Sequence, residues 1–257
     1  MMNTHIVLIF GGLGKLGQIT ANNLNMKEKE IEIVLIDIID ISEVEKNTNL
    51  KYIKYIQCDV RNSFELQKCI EKVTKPYSKI SAINFIGYDF PVDKKISTTT
   101  PLSVNDNELT LSLELNLATS HKISYALIQN NKKFHLIFIS SIYASKPTKS
   151  DLYGLDKDGN KLFKPYIYGA SKAGLEKLAK DLSTYLPEYN SRINVVSLGG
   201  VDTDLPIEFV KKYSKYSPQN CMINKDSVCK LLKWLIIDSP LELNGCILNL
   251  DSGVSNT

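Results

Sequence analysis

The 257-residue chain carries 31 Lys and Arg against 28 Asp and Glu, a formal net charge of +3, with 43% hydrophobic and 23% charged residues. That is the composition of one α/β-sized globular unit with an ordinary solvated surface, and it excludes the clustered basic footprint of a nucleic-acid binder. With no signal peptide and no apolar run long enough to span a bilayer, a cytoplasmic protein with reduced thiols is expected. Its five cysteines (Cys58, Cys69, Cys221, Cys229 and Cys246) hold neither a Cys-x-x-Cys pair nor a metal spacing.

In chain order, His5 to Phe10 is a continuous apolar run, the pattern of a buried parallel strand. Gly11-Gly12-Leu13-Gly14-Lys15-Leu16-Gly17 follows, then a helical pattern near 14–25. Glycines at 11, 14 and 17 let the backbone turn tightly and approach a pyrophosphate, and the helix start presents free N–H groups to it. Lys15 and Leu16 belong to that cradle. A second strand, 31–36, leads into Asp37 and Ile38. An acid about 20 residues beyond the glycines accepts hydrogen bonds from the adenosine ribose hydroxyls. It also repels a 2′-phosphate, and no Arg follows it directly, so NAD is favoured over NADP.

Further strands are expected near 52–57, 80–86, 134–140, 192–198 and 246–250. Helices are expected near 62–74, 105–130, 166–186 and 224–237, with a short one near 205–215. This alternation predicts a seven-stranded, mostly parallel sheet with helices on both faces. In the long helix near 105–130, Asn116 lies beside a leucine stripe (Leu109, Leu113, Leu117 and Leu127). A buried amide must be bonded, so Asn116 either ties two helices together or holds a water behind a catalytic group. In Tyr166-Ile167-Tyr168-Gly169-Ala170-Ser171-Lys172, Tyr168 and Lys172 lie one helical turn apart. An ammonium so placed is expected to lower a tyrosine pKa from about 10 and suit it to proton exchange. Such a spacing also arises by chance on helix surfaces; the glycine turn upstream favours the catalytic reading. His5, His121 and His135 stand apart and read as structural, and no metal site is expected.

These segments, in this order, resemble the short-chain dehydrogenase/reductase superfamily over nearly the whole chain. Cys58-Asp59-Val60 resembles the family's Asp-Val after the third strand, whose acid contacts the adenine. Asn84 and Gly87 match two positions of its Asn-Asn-Ala-Gly. Asn116, Ser141, Tyr168 and Lys172 fall on its catalytic Asn, Ser, Tyr and Lys. Leu198-Gly199-Gly200-Val201-Asp202-Thr203 resembles the segment whose Val and Thr hold the nicotinamide carboxamide, with Leu198 where a proline is usual. Asn244-Gly245 through Asp251-Ser252-Gly253 resembles its closing strand. The resemblance implies a single-domain Rossmann fold over 1–257. It implies an NAD-dependent oxidoreductase acting on a CH–OH group, and a homodimer or homotetramer paired through the helices near 105–130 and 166–186.

The departures narrow the resemblance. Gly-x-x-Gly-x-x-Gly is the spacing of a longer, sugar-nucleotide-modifying branch, whose C-terminal substrate domain is not expected in this chain. Ser141 and Tyr168 are 27 positions apart, and the insert between them, about 145–164, is rich in Lys, Asp and Gly. Ser140 to Tyr143, Lys164-Pro165 and Glu208 to Ser214 resemble short oxidoreductases found with bacterial flagellin-modification and surface-polysaccharide enzymes. That implies a sugar, sugar nucleotide or nine-carbon acidic sugar as substrate. The insert and a lid segment at about 203–220 should wall the pocket. Their lysines (Lys146, Lys149, Lys157, Lys161, Lys164, Lys211, Lys212 and Lys215) either welcome a substrate anion or are simply solvated. Two rival readings are an NAD-dependent epimerase or dehydratase and a catalytically silent nucleotide-binding module.

Overall fold

A strand covered on both faces needs apolar side chains at every position, and all six residues of β1 (His5–Phe10) are buried. The computed structural model describes residues 5–27, 31–40, 42, 53–90, 100–102, 104–130, 133–148, 152–155 and 159–256. After β1 come α1 (Lys15–Lys27), β2 (Ile31–Asp37), β3 (Lys54–Gln57), α2 (Ser63–Thr74), β4 (Lys79–Asn84), α3 (Asp106–Leu113), α4 (Thr119–Gln129), β5 (Phe134–Ser141) and α5 (Tyr166–Tyr185). Then follow β6 (Arg192–Leu198), β7 (Val201–Asp202), α6 (Ile207–Ser214), β8 (Ile223–Asn224), α7 (Lys225–Ile237) and β9 (Ile247–Leu250).

Seven strands form one sheet in the order β3-β2-β1-β4-β5-β6-β9, and every pairing is parallel. The chain runs outward from β1 to β3, then returns to β4 on the other side of β1. That reversal opens a crevice beyond the strand ends, the place where open parallel sheets bind ligands. Successive β1 side chains point to opposite faces. Ile6, Leu8 and Phe10 join a core with Leu66 and Ile70 of α2, Ile123 and Leu127 of α4 and Leu175 of α5. Val7 and Ile9 join the opposite core with Ala21 and Leu24 of α1 and Leu232 and Leu235 of α7. A third, smaller core unites Ile142, Leu152, Tyr213, Met222 and Val254, so the insert, the lid segment and the C-terminal turn close on one another.

Local chemistry sets several boundaries. Asn62 caps α2 by accepting from Phe64 N and Glu65 N (3.1 and 3.2 Å). The fourth strand ends at Asn84, short of the expected residue 86, because Asn84 Oδ1 accepts from Ile86 N (3.0 Å) and turns the chain. The helix expected near 105–130 is continuous but contains a π turn, Glu114–Ala118, between α3 and α4. A short parallel pair, β7 with β8, stands outside the expected strands. His5 meets Ser81 Oγ (2.9 Å) and His135 meets Asn194 Nδ2 (3.0 Å). Burial, with nearby cations, lowers their pKa values to about 4 and about 3. Among the described residues, no helix is long and apolar enough to cross a membrane.

Candidate active site

The crevice begins at the end of β1. Gly11 adopts φ +69°, which L side chains resist, and a Cβ there would stand 3.0 Å from Ile86 N. Gly14 N donates to Gly11 O (3.1 Å), and the first bond into α1 runs from Gln18 N to Gly14 O (3.0 Å). The N–H groups of Lys15, Leu16 and Gly17 therefore precede that bond, and the first turn carries no acidic side chain. A glycine turn that brings bare backbone up to a helix N-terminus fits a nucleotide pyrophosphate. Lys15 Nζ reaches Thr203 O (3.1 Å), which links this turn to the lid segment.

Asp37 ties the end of β2 to the same turn. Its carboxylate accepts from Leu13 N (3.0 Å), Ile38 N (2.8 Å) and, more loosely, Ile39 N (3.4 Å). Two carboxylate oxygens offer about four acceptor positions, so capacity remains for a ribose hydroxyl.

A cavity of about 660 Å³ runs from the glycine turn along the sheet edge. It brings together Gly11, Gly14, Lys15, Leu16, Gly17, Gly87, Asn116, Ser141, Tyr168, Lys172, Gly199, Val201 and Thr203. Asp37, Ile38, Asp59, Val60 and Asn84 are not part of its wall. Ile38 is exposed and Val60 is packed in the core. The Asp59 carboxylate is gripped by Arg61 through Nε (2.9 Å) and Nη2 (2.7 Å), which holds its pKa low. Asn84 donates to Ser120 Oγ (2.8 Å) and, with its bond to Ile86, shapes the turn after β4.

Within the cavity, β5 ends at Ser141, whose Oγ accepts from Tyr143 N (3.3 Å) and starts a short 3₁₀ turn. Lys172 is buried and donates from Nζ to Ile139 O (3.0 Å). Burial lowers its pKa to about 8 against the opposing charge of Glu176. Gly87 makes room here: a Cβ would stand 2.8 Å from Asn116 Oδ1 and 3.2 Å from Lys172 Nζ.

Two expectations change on this geometry. Tyr168 does not have a lowered pKa. Burial raises it to about 12, a hydrogen bond with Ser141 opposes the rise, and Tyr143 adds to it. Desolvation of the phenolate outweighs a lysine that is itself directed at a carbonyl. The Asn116 amide, in turn, is engaged by protein groups and not left for a water. Its Oδ1 accepts from Tyr88 N (2.8 Å), and its Nδ2 faces Ser171 Oγ (2.9 Å), Tyr88 O (3.2 Å) and Ser112 Oγ (3.3 Å). Ser171 passes the bond on to Tyr168 O (2.8 Å), so Asn116 fixes the backbone that carries the tyrosine.

The insert supplies Leu152, Tyr153 and Lys164 to the wall; the lid segment supplies Leu205, Pro206, Phe209 and Tyr213. Tyr153 donates to Tyr143 Oη (3.0 Å), and Tyr143 packs edge-on to Tyr168 with centroids 6.4 Å apart. Tyr213 Oη accepts from Gly200 N (2.6 Å). Of the loop lysines, Lys164 lines the cavity, while Lys146, Lys161, Lys211, Lys212 and Lys215 do not; Lys149 and Lys157 lie outside the described residues. Sequence reasoning counted Lys164 among eight loop lysines that could meet a substrate anion without separating it from the rest, and it did not single out Asp89 or Ser171. The one available signal was Lys164-Pro165 directly before the helix of Tyr168, since a proline there starts the helix and fixes the lysine beside it.

A family model described as enoyl-(acyl carrier protein) reductase matches residues 16–255. The chain is 24% identical to post-translational flagellin modification protein A of Campylobacter coli, over 98% of this chain and 99% of that protein. A short chain dehydrogenase from Leptospira borgpetersenii, solved with bound NAD+, superposes with TM-score 0.77 at 20% identity, covering 98% of this chain and 92% of that one. A variant of actinorhodin polyketide ketoreductase with NADPH gives TM-score 0.78 at 15% identity, covering 100% and 99%.

Proposed function

The chain belongs to the short-chain dehydrogenase/reductase superfamily and is an NAD(P)-dependent oxidoreductase, and from that premise we propose its specific reaction and the roles of its residues. It moves hydride between NAD and a hydroxyl or keto carbon of a sugar, sugar nucleotide or acidic sugar, in the assembly of a bacterial surface glycan. One observation carries this reading: Ser141, Tyr168 and Lys172 line a single cavity with the Gly11–Gly17 turn. The flagellin-modification relative supports the glycan context.

When bound, the nicotinamide supplies or accepts the hydride. The chain's residues orient the partners and move the proton. Gly11, Gly14, Lys15, Leu16 and Gly17 hold the pyrophosphate. Asp37 accepts from the adenosine ribose and disfavours a 2′-phosphate, which selects NAD over NADP. Asp59, Val60, Asn84 and Ile38 shape the adenosine side, and Gly199, Val201 and Thr203 the nicotinamide side. Ser141 donates a hydrogen bond to the reacting oxygen. Tyr168 exchanges a proton with that oxygen, and Lys172 holds the nicotinamide ribose through its ammonium. Asn116 is a positioning residue for Tyr168. The reading includes a cytoplasmic location, where thiols stay reduced, and a homodimer or homotetramer.

The test follows NADH absorbance with phosphorylated, nucleotide-linked and acidic sugars at mildly alkaline pH, with NAD and NADP compared. Steady NADH formation, with NAD strongly preferred, is expected. Asp37→Asn keeps a side-chain acceptor for Leu13 N, removes the charge and should narrow the cofactor preference. Equal use of both cofactors by the wild type refutes the role of Asp37. Conversion of a sugar without NADH accumulation makes the protein an epimerase instead, the reaction that the Gly-x-x-Gly-x-x-Gly turn also suits.

A further inference from the structure

The cavity wall is unevenly charged. Among its described residues Lys15, Lys164 and Lys172 face one carboxylate, that of Asp89. Lys15 is engaged with Thr203 and Lys172 with Ile139. Lys164 is different. Its side chain is 7% exposed, yet the Asp89 side chain that pairs with it is 70% exposed. Its Nζ lies 4.3 Å from the centroid of the Tyr168 ring. The ammonium is therefore inside the site, beside the proposed acid/base, while its counter-charge stands in water.

That arrangement is poor as a structural ion pair. Taking an ammonium out of water is costly, and a solvated partner offsets little of that cost. Burial and the nearby Lys172 charge lower the Lys164 pKa to about 7. The cation–π contact with Tyr168 offsets only part of that cost. An anion arriving inside the cavity would offset that cost, since low polarity strengthens the attraction. Asp89 occupies the position in its absence, with most of its side chain in solvent.

We propose that Lys164 forms an anion subsite for the substrate, pairing with a phosphate or carboxylate group that displaces Asp89 and holds the neighbouring carbinol against Tyr168. This deepens the reaction proposed above and rests on its assignment of Tyr168. It restricts the substrate class to sugars that carry an anionic group close to the reacting carbon. A neutral sugar leaves Lys164 with Asp89 and gains nothing from it.

The experiment titrates NAD-saturated protein calorimetrically with inorganic phosphate and, separately, with acetate, at mildly acidic pH where Lys164 is charged. Saturating NAD fills the glycine turn, so the anion reports on the other end of the cavity. Asp89→Asn removes the competing carboxylate and should tighten binding by about fivefold. Lys164→Met should abolish it, and Lys164→Arg should retain it. Tighter phosphate binding assigns a phosphorylated substrate, and tighter acetate binding a carboxylated one. Unchanged affinity in Asp89→Asn, or wild-type affinity in Lys164→Met, overturns the subsite. If Lys164→Met does not fold, as judged by its melting curve, Asp89→Asn and Lys164→Arg still decide. Failure to bind NAD, measured first, counts against the choice of NAD alone; the titration is then run with NADP filling the glycine turn, and anion binding is still read through its dependence on Lys164 and Asp89.

Discussion

A phenol shut away from water is harder to ionise than one in solvent, and at Tyr168 burial lifts the pKa to about 12. At neutral pH the proton therefore sits on Tyr168, and in the proposed reaction it would be given to a carbonyl oxygen in the reducing direction. Oxidation needs the phenolate, so its rate should climb as pH rises. Lys172 sets the opposing limit. Its pKa is lowered to about 8, so the ammonium is present below that pH and is lost above it. In the reducing direction and with a neutral substrate, which does not engage Lys164, kcat/KM, which reports the free enzyme, should stay level below about pH 8 and fall above it as Lys172 deprotonates. An arginine stays charged throughout, so Lys172→Arg should move the fall to higher pH if it retains activity. Tyr168→Phe keeps the ring, loses the proton and should lower kcat by roughly 10²–10⁴-fold with NAD affinity nearly unchanged. Near-wild-type turnover in Tyr168→Phe would remove it from the chemistry.

At the scale of elements, the π turn between α3 and α4 carries Asn116, and Asn116 connects three pieces of chain. It binds both Tyr88 N and Tyr88 O after β4, Ser112 on α3, and Ser171 on α5. Asn116→Ala leaves buried polar groups without partners, at about 1–3 kcal/mol. A lower melting temperature is expected, with a fall in kcat larger than any rise in KM because Tyr168 is misplaced. Ser171→Ala should show the same kcat-weighted pattern more weakly; an effect on KM alone would make Asn116 a substrate contact. The buried strands and the Tyr168–Lys172 spacing were legible because continuous apolar runs and a one-turn offset are written locally. The π turn was not, since a one-residue shift in hydrogen bonding leaves no compositional trace. β7 and β8, two residues each, are too short to show a period. The direction of the Tyr168 shift was missed for a related reason: the lysine is a sequence neighbour, whereas burial is set by the tertiary packing that brings side chains such as Tyr143 and Lys164 against the ring. Lys164 was named with seven other loop lysines as a possible anion contact and could not be told from them, because its burial depends on the same tertiary packing.

Across the whole molecule, α4 and α5 pack with α2 on one side of the sheet, α3 lies against α5, and the outward surfaces of α3, α4 and α5 are not uniformly polar. Leu109 and Leu113 of α3 are 39% and 40% exposed, Tyr125 of α4 is 57% exposed, and Tyr166 and Tyr185 of α5 are 50% and 44% exposed. Single exposed apolar residues are ordinary; several on neighbouring helices point to an interface. The helices already approach each other closely, since a Cβ on Gly174 of α5 would stand 3.1 Å from Leu117 Cδ2 in the π turn. A second copy related by a two-fold axis would lay the same helices against themselves and cover these side chains on both partners. A stable contact of this kind buries roughly 1,200–2,000 Å² in total. It would also brace α5, which carries Tyr168 and Lys172, so assembly and site geometry should be linked. Light scattering at micromolar concentration should give two or four times the chain mass. Leu109→Lys combined with Leu113→Glu should shift the protein toward monomer and lower kcat more than NAD affinity, because neither side chain lines the cavity. A wild-type monomer at that concentration, or an unchanged mass in the double variant, would show that this face is not where copies meet.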